Sequence, residues 1–208
     1  MNDFPRRGLY AVSDEDVASD REFEARGLAV VEGGAKALQF RDKTRDRRRR
    51  LNRAQFLVGL CQKRHIPLII NDDVELALHI GAAGVHLGRD DMPLAQARAR
   101  LGPRAIVGIS CYNDLGRARE AAAQGADYVA FGRFFASHTK PDAVLAPLEL
   151  LSEARAHLRI PIVAIGGVTA ENGSDLILAG ANVLAVIKGV FAAADPKLAA
   201  QAMANLFK

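Results

Sequence analysis

Short apolar runs rich in β-branched residues alternate along this chain with longer stretches whose apolar positions recur at helical spacing. The runs fall at Gly8–Ser13, Ala37–Arg41, Pro67–Asn71, Gly84–Leu87, Ala105–Ser110, Tyr128–Phe131, Ile160–Ile165 and Val183–Ile187, eight predicted strands. Most are nearly continuous in Val, Ile and Leu, the pattern of parallel strands covered on both faces. Between them, Asp73–Ala82 places Val74, Leu76, Ala77, Leu78 and Ile80 on a short buried helix ended by Gly81 or Gly84. Pro147–His157 repeats the pattern with Leu148, Leu150, Leu151, Ala154 and Leu158. Parallel neighbours need a helical crossover, so eight such units in 208 residues predict an α/β fold, a (β/α)8 barrel. A doubly wound open sheet fits less well. No GxGxxG follows the first run, and Gly33-Gly34, Gly81, Gly84 and Gly125 all precede runs, as helix terminators do.

The length suits one domain spanning residues 1–208, large enough to bury roughly 70% of its unfolded surface without a disulfide or metal staple. Cys61 and Cys111 share no zinc-ligand or CxxC spacing, and a reduced, cytoplasmic setting is expected. No apolar run reaches the roughly 18 residues of a membrane span, so neither a membrane nor secretion is expected. The net charge of +4 hints at nucleic acid until it is located: five arginines and one aspartate in Arg45–Arg50 account for it, and the remaining charges balance. No aromatic residue is interleaved there, so the run reads as a solvated helix start or an anion-steering patch, and no nucleic-acid partner is expected. Oligomeric state, a homo-oligomer included, is left open.

The polar residues make a second case for the barrel. Arg41 and Lys43, Asn71 and Asp72, Asp91, Ser110, Ser137 to Lys140, Gly166-Gly167 and Lys188 all fall at or just beyond the C-terminal ends of runs. In a barrel they converge on the one rim that carries active sites. In Gln39-Phe40-Arg41-Asp42-Lys43, period-2 geometry puts Gln39, Arg41 and Lys43 on one side and Phe40 and Asp42 on the other. The first set suits a phosphate or diphosphate; an ion-paired strand end is the plainer reading. Asp73 suits a helix cap and leaves Asp72 to face the rim, with Asp91 on the adjacent loop. Two hard oxygen donors without Cys or His favour magnesium. Ser137-His138-Thr139-Lys140 lies in a long loop with two hydroxyls and a cation for anionic oxygen, His138 reading as solvent-exposed. Gly166-Gly167 and Gly189 suit a backbone phosphate cup or simply tight turns. His65, His79, His86 and His157 share no ligand spacing and receive no role, and no Ser–His–Asp grouping supports a covalent hydrolase.

Taken in order, Gly8–Asp14, Gln39–Lys43, Asn71–Leu78, Gly84–Gly88, Gly108–Ser110, Ser137–Lys140, Ala164–Val168 and Val186–Phe191 resemble the thiamine phosphate synthase family over nearly the whole chain. The resemblance implies a cytoplasmic transferase of thiamine biosynthesis. It would join 4-amino-2-methyl-5-hydroxymethylpyrimidine diphosphate to a thiazole phosphate and release diphosphate. It places Gln39, Arg41, Lys43, Asn71, Ser110 and Lys140 on the pyrimidine diphosphate, with Arg41, Lys43, Ser110 and Lys140 as catalytic residues. Phe40, Asp42 and His138 are counted with the substrate-binding segments. Asp72 and Asp91 would hold Mg2+, and Ser137, Thr139, Gly167, Ile187 and Lys188 the thiazole phosphate. Lys188 departs from the pattern, since the family usually has serine there. Three alternatives remain: a thiazole tautomerase, a Schiff-base aldolase using Lys188, and a barrel that binds thiamine precursors without turnover.

Overall fold

The computed structural model describes residues 3–136 and 144–208. Eight strands, β1 (Gly8–Val12), β2 (Ala37–Phe40), β3 (Leu68–Asn71), β4 (Gly84–Leu87), β5 (Ile106–Tyr112), β6 (Tyr128–Phe131), β7 (Ile162–Ile165) and β8 (Val183–Val186), alternate with helices. The helices are α1 (Asp20–Glu32), α2 (Arg47–Lys63), α3 (Val74–Ile80), α4 (Leu94–Leu101), α5 (Leu115–Ala123), α6 (Glu149–His157), α7 (Gly173–Ala179) and α8 (Pro196–Asn205). Each strand pairs in parallel with its neighbours in sequence, and β8 returns to β1, closing the barrel.

The strands begin later than the apolar runs where a proline intervenes. Pro67 has no N–H to give a ladder, although its carbonyl still accepts from Leu38 N at 3.1 Å; Pro161 does the same for Val129 N at 3.1 Å. β5 runs on to Tyr112, past the expected end at Ser110, through a register shift against β6 between those residues. Polar caps start five of the eight helices. Ser19, Asp46, Asp73, Asp114 and Asp195 each accept a backbone N–H from the first turn. Two expected apolar positions are exposed: Leu78, because the two turns of α3 present only one stripe to the strands, and Leu148, which precedes α6 as its N-cap.

Alternation along the strands makes two cores. Leu9, Leu38, Phe40, Ile70, Leu87, Ile109 and Phe131 face outward into the layer beneath the helices. Tyr10, Val12, Ile69, Ile106, Tyr128, Val163 and Val183 face inward and fill the barrel. Below them Phe4 closes the barrel, stacked on Tyr128 with centroids 3.7 Å apart and edge-on to Tyr10 at 5.3 Å. Gly108 on β5 is what admits Tyr128, since a Cβ there would sit inside the phenol ring.

Candidate active site

The inward parity of β2, β3 and β5 brings Gln39, Arg41, Asn71 and Ser110 onto one pocket at the C-terminal mouth. Val163, Ile165, Ala185 and Ile187 form its apolar wall. A second hollow adjoins it on the rim, lined by Lys43, Arg50, Asn71 and Asp72. Asn71 belongs to both. One half of the site therefore suits a flat ring with polar edges, and the other suits an anion with a cation.

Arg41 is held in place before any ligand arrives. Ser13 Oγ accepts from Arg41 N at 2.8 Å and donates to Arg41 O at 3.0 Å, while the guanidinium pairs with Glu15 at 2.6 Å. Lys43 Nζ lies 3.4 Å from Asp72. Asp72 adopts a left-handed φ of 63°, uncommon away from glycine though tolerated by Asp, and its N–H donates to His86 O at 2.9 Å. That kink separates the two neighbouring carboxylates. Asp73 caps α3 through Leu76 N and accepts from Arg50 at 2.9 Å, while Asp72 is left on the rim. Burial, and then a hydrogen bond and the negative charge of Asp91, push the Asp72 carboxyl up; Lys43 opposes them. Asp91 is fixed in turn by Gly88 N at 2.6 Å.

The pocket floor carries residues that sequence reading left without a role. Gln39 Nε2 donates to Tyr10 Oη at 2.7 Å, Tyr10 Oη lies 2.9 Å from Tyr128 Oη, Tyr128 Oη 3.0 Å from His86 Nδ1, and His86 Nε2 2.8 Å from Ser110 Oγ. The signal was there in the alternation of Tyr10 with Val12 and of Gly84 with His86, which gives each an inward parity. Burial pushes both phenols above the ordinary tyrosine range, so both keep their protons.

Of the expected ligand residues, Phe40 lies away from both hollows, and Asp42 borders the second with its carboxylate buried. Phe40 packs in the outer layer, edge-on to Phe23 with centroids 6.1 Å apart, because the residue after an inward Gln39 must face out. The Asp42 carboxylate is turned inward: it accepts from Thr44 N at 2.9 Å and lies 3.8 Å from the buried Arg53, so it shapes the loop that presents Lys43. Gly167 has φ 67° and sits against Phe135 and Ala136 O in the loop after β7, beside the pocket. Lys188 is half-exposed and pairs with Asp16 at 3.7 Å, unlike the desolvated amine a Schiff-base aldolase requires. Ser137, His138, Thr139 and Lys140 lie outside the described residues. Part of the arginine run points inward, Arg49 donating to Glu15 O at 2.9 Å and Arg50 pairing with Asp73.

Fold and rim together define a (β/α)8 barrel with a ring pocket beside a charged hollow. Residues 9–190 match the family model described as thiamine monophosphate synthase, and the chain belongs to that family. It is 52% identical over 202 residues to a thiamine-phosphate synthase of Thioalkalivibrio sulfidiphilus, covering 97% of this chain and 96% of that protein. The match to the thiamine-phosphate synthase of an Azoarcus species is 53% over 201 residues, covering 97% of each. Among solved structures, thiamine phosphate pyrophosphorylase from Pyrococcus furiosus superposes with a TM-score of 0.87 at 31% identity, over 97% of this chain and 96% of that one. Among the described residues, no helix is long and apolar enough to cross a membrane.

Proposed function

We infer that the chain condenses 4-amino-2-methyl-5-hydroxymethylpyrimidine diphosphate with thiazole phosphate, forming thiamine phosphate and diphosphate. The observation that carries this is the shared Asn71 edge between a ring-sized pocket and a hollow lined by Lys43, Arg50 and Asp72. The pyrimidine would lie in the first and its diphosphate would reach into the second. The bond from the exocyclic carbon to the diphosphate oxygen breaks with both electrons going to oxygen. The thiazole nitrogen lone pair then captures the pyrimidine cation. Arg41, Lys43 and Lys140 stabilise the negative charge that grows on the departing group. The apolar wall of Val163, Ile165 and Ile187 keeps water from the cation. No side chain forms a covalent intermediate in this reaction.

Asp72 and Asp91 fit a divalent cation. Among the described residues no group of three or more His, Cys, Asp or Glu could hold a metal, but Asp91 sits close enough to Asp72 that its negative charge raises the cost of ionising the Asp72 carboxyl. A hard cation relieves that repulsion while keeping coordination positions for water and phosphate. Mg2+ held there would supply positive charge to the leaving diphosphate. Ser137, Thr139, Gly167, Ile187 and Lys188 would receive the thiazole phosphate. Retention of Gln39, Arg41, Lys43 and both aspartates argues against a tautomerase, which has no use for a diphosphate grip.

The test mixes both precursors with magnesium and follows thiamine phosphate and diphosphate, for the wild type and Lys188→Ser. Stoichiometric product from the wild type is expected. Binding of both precursors without product, with turnover restored by the serine, would instead establish a binder that has lost catalysis.

A further inference from the structure

We propose that the Tyr112 hydroxyl and the Arg117 guanidinium clamp the Gly88–Asp91 turn and thereby set Asp91 for a divalent cation, which makes both of them positioning residues of the metal site. This rests on the metal reading of Asp72 and Asp91 given above. Tyr112 ends β5 and Arg117 lies in the first turn of α5, so both reach the turn from the neighbouring βα unit.

Each of the two carboxylates is anchored by the next strand around the barrel. Asp72, after β3, donates its N–H to His86 O on β4 at 2.9 Å. Asp91, after β4, depends on groups from β5 and α5. Its Oδ2 accepts from Gly88 N at 2.6 Å, so the direction of the other oxygen is fixed by where the turn stands. Arg117 Nη2 donates to Gly88 O at 3.3 Å while its Nε donates to Ser110 O at 2.8 Å, which ties the turn to β5. Arg89 N donates to Tyr112 Oη at 3.2 Å, and the Arg89 guanidinium lies over the same ring, 5.1 Å from its centroid. Gly88 N, Gly88 O and Arg89 N, successive along the backbone, are thus each engaged by a side chain. Glycine at 88 makes the room: a Cβ there would stand 3.0 Å from Asp91 Oδ2 and 3.4 Å from Tyr112 Oη.

Tyr112 reaches the turn where β5 breaks register. It follows the shift between Ser110 and Tyr112 and has a left-handed φ of 56°, an outlier for a bulky residue, while its carbonyl accepts from Gly132 N at 2.9 Å. Backbone of this kind persists only where the surroundings fix it, and it collects at functional sites. Here its effect is to place one face of the ring on the pocket and the hydroxyl on the turn. Asp72 and Asp91 stand close enough for like charge to act between them, which pushes their loops apart in the metal-free protein. A turn held by side chains resists that push and presents Asp91 in place. A loose turn swings outward, and the cation must draw it back with a loss of affinity.

Mn2+, which takes the same hard oxygen donors, is the probe. Its binding is followed by water-proton relaxation, with and without inorganic diphosphate, on the wild type, Tyr112→Phe, Arg117→Lys and Asp91→Asn. Tyr112→Phe keeps the ring against the pocket and removes only the hydroxyl. Arg117→Lys keeps a cation whose single nitrogen cannot span both carbonyls. Each should weaken Mn2+ about three- to ten-fold, the scale of one net hydrogen bond, and leave the metal-free affinity for inorganic diphosphate, measured calorimetrically, within about two-fold of wild type. If Tyr112→Phe and Arg117→Lys bind Mn2+ as the wild type does while Asp91→Asn binds it more weakly, the clamp is refuted. A parallel fall in the metal and the metal-free diphosphate affinities refutes it too, since that is the mark of a general loss of packing. If Asp91→Asn binds Mn2+ as well as the wild type, the metal reading fails instead.

Discussion

Replacing Gly108 by alanine directs a methyl group into the Tyr128 ring. The ring has nowhere to go: it is stacked on Phe4 at 3.7 Å and on His86 at 5.5 Å, and it lies edge-on to Tyr10 at 5.9 Å. β5 cannot retreat either, being laddered to β4 and β6 on both sides. Overpacking of this kind costs about 1–3 kcal/mol. If the ring tilts to escape, the buried hydrogen bonds to Tyr10 and His86 lengthen, adding about 0.5–1.5 kcal/mol each. The expected loss is therefore about 2–6 kcal/mol, or a fall in melting temperature of about 2–4 °C per kcal/mol at this chain length. Gly59 is the control. It lies within α2, a Cβ there would meet nothing within 4 Å, and Gly59→Ala should gain about 0.5–1 kcal/mol from helix propensity. Equilibrium unfolding in urea measures both. A Gly108→Ala protein within about 0.5 kcal/mol of wild type would show that the barrel interior yields, and the packing argument for the pocket floor would fall.

Three further outcomes are expected. Arg53→Met should destabilise by about 3–5 kcal/mol in thermal unfolding, because it leaves the buried Asp42 carboxylate without its cation and removes the 2.7 Å pair to Asp20. In metal-free protein Asp72 titrates higher folded than unfolded, so the fold gains stability as pH falls through the folded value, above the ordinary carboxyl value of about 3.9. Asp72→Asn, whose side chain accepts the left-handed backbone, should raise the metal-free melting temperature at neutral pH and flatten that acid gain; an unchanged pH profile would contradict the coupling to Asp91. Asp72→Ala should shift the magnesium concentration for half-maximal synthase activity upward by about ten-fold or more, the scale on which metal-site residues act, and unchanged turnover in limiting magnesium would remove the metal assignment.

The barrel was legible because parallel strands covered on both faces read as continuous Val, Ile and Leu runs, and because the polar ends of those runs shared one rim. Parity alone then put Gln39, Arg41, Asn71 and Ser110 together. It also argued against Phe40, whose burial beneath α1 follows from the same alternation. What sequence did not yield depends on contacts distant along the chain. Tyr10 and Tyr128 are 118 residues apart and meet only when the barrel closes. Gly108 looks like an ordinary strand glycine until the ring that fills its space is known. Asp42 reads as a rim charge, and only the buried Arg53 two turns into the next helix explains why it faces inward. The partners of Arg41 and Lys188, Glu15 and Asp16, sit in a loop whose charges carry no periodicity from which to infer contact.

That loop and the one after β3 match four rim cations with carboxylates among the described residues. Arg41 is matched by Glu15, Lys43 by Asp72, Arg50 by Asp73 and Lys188 by Asp16. An arriving phosphate therefore exchanges with a carboxylate that remains covalently tethered beside it and competes from a high effective concentration. Each bound anion is held less tightly than the bare cations would hold it. The same tether returns to the cation as the anion leaves, so release of a charged product leaves each of these four cations paired again.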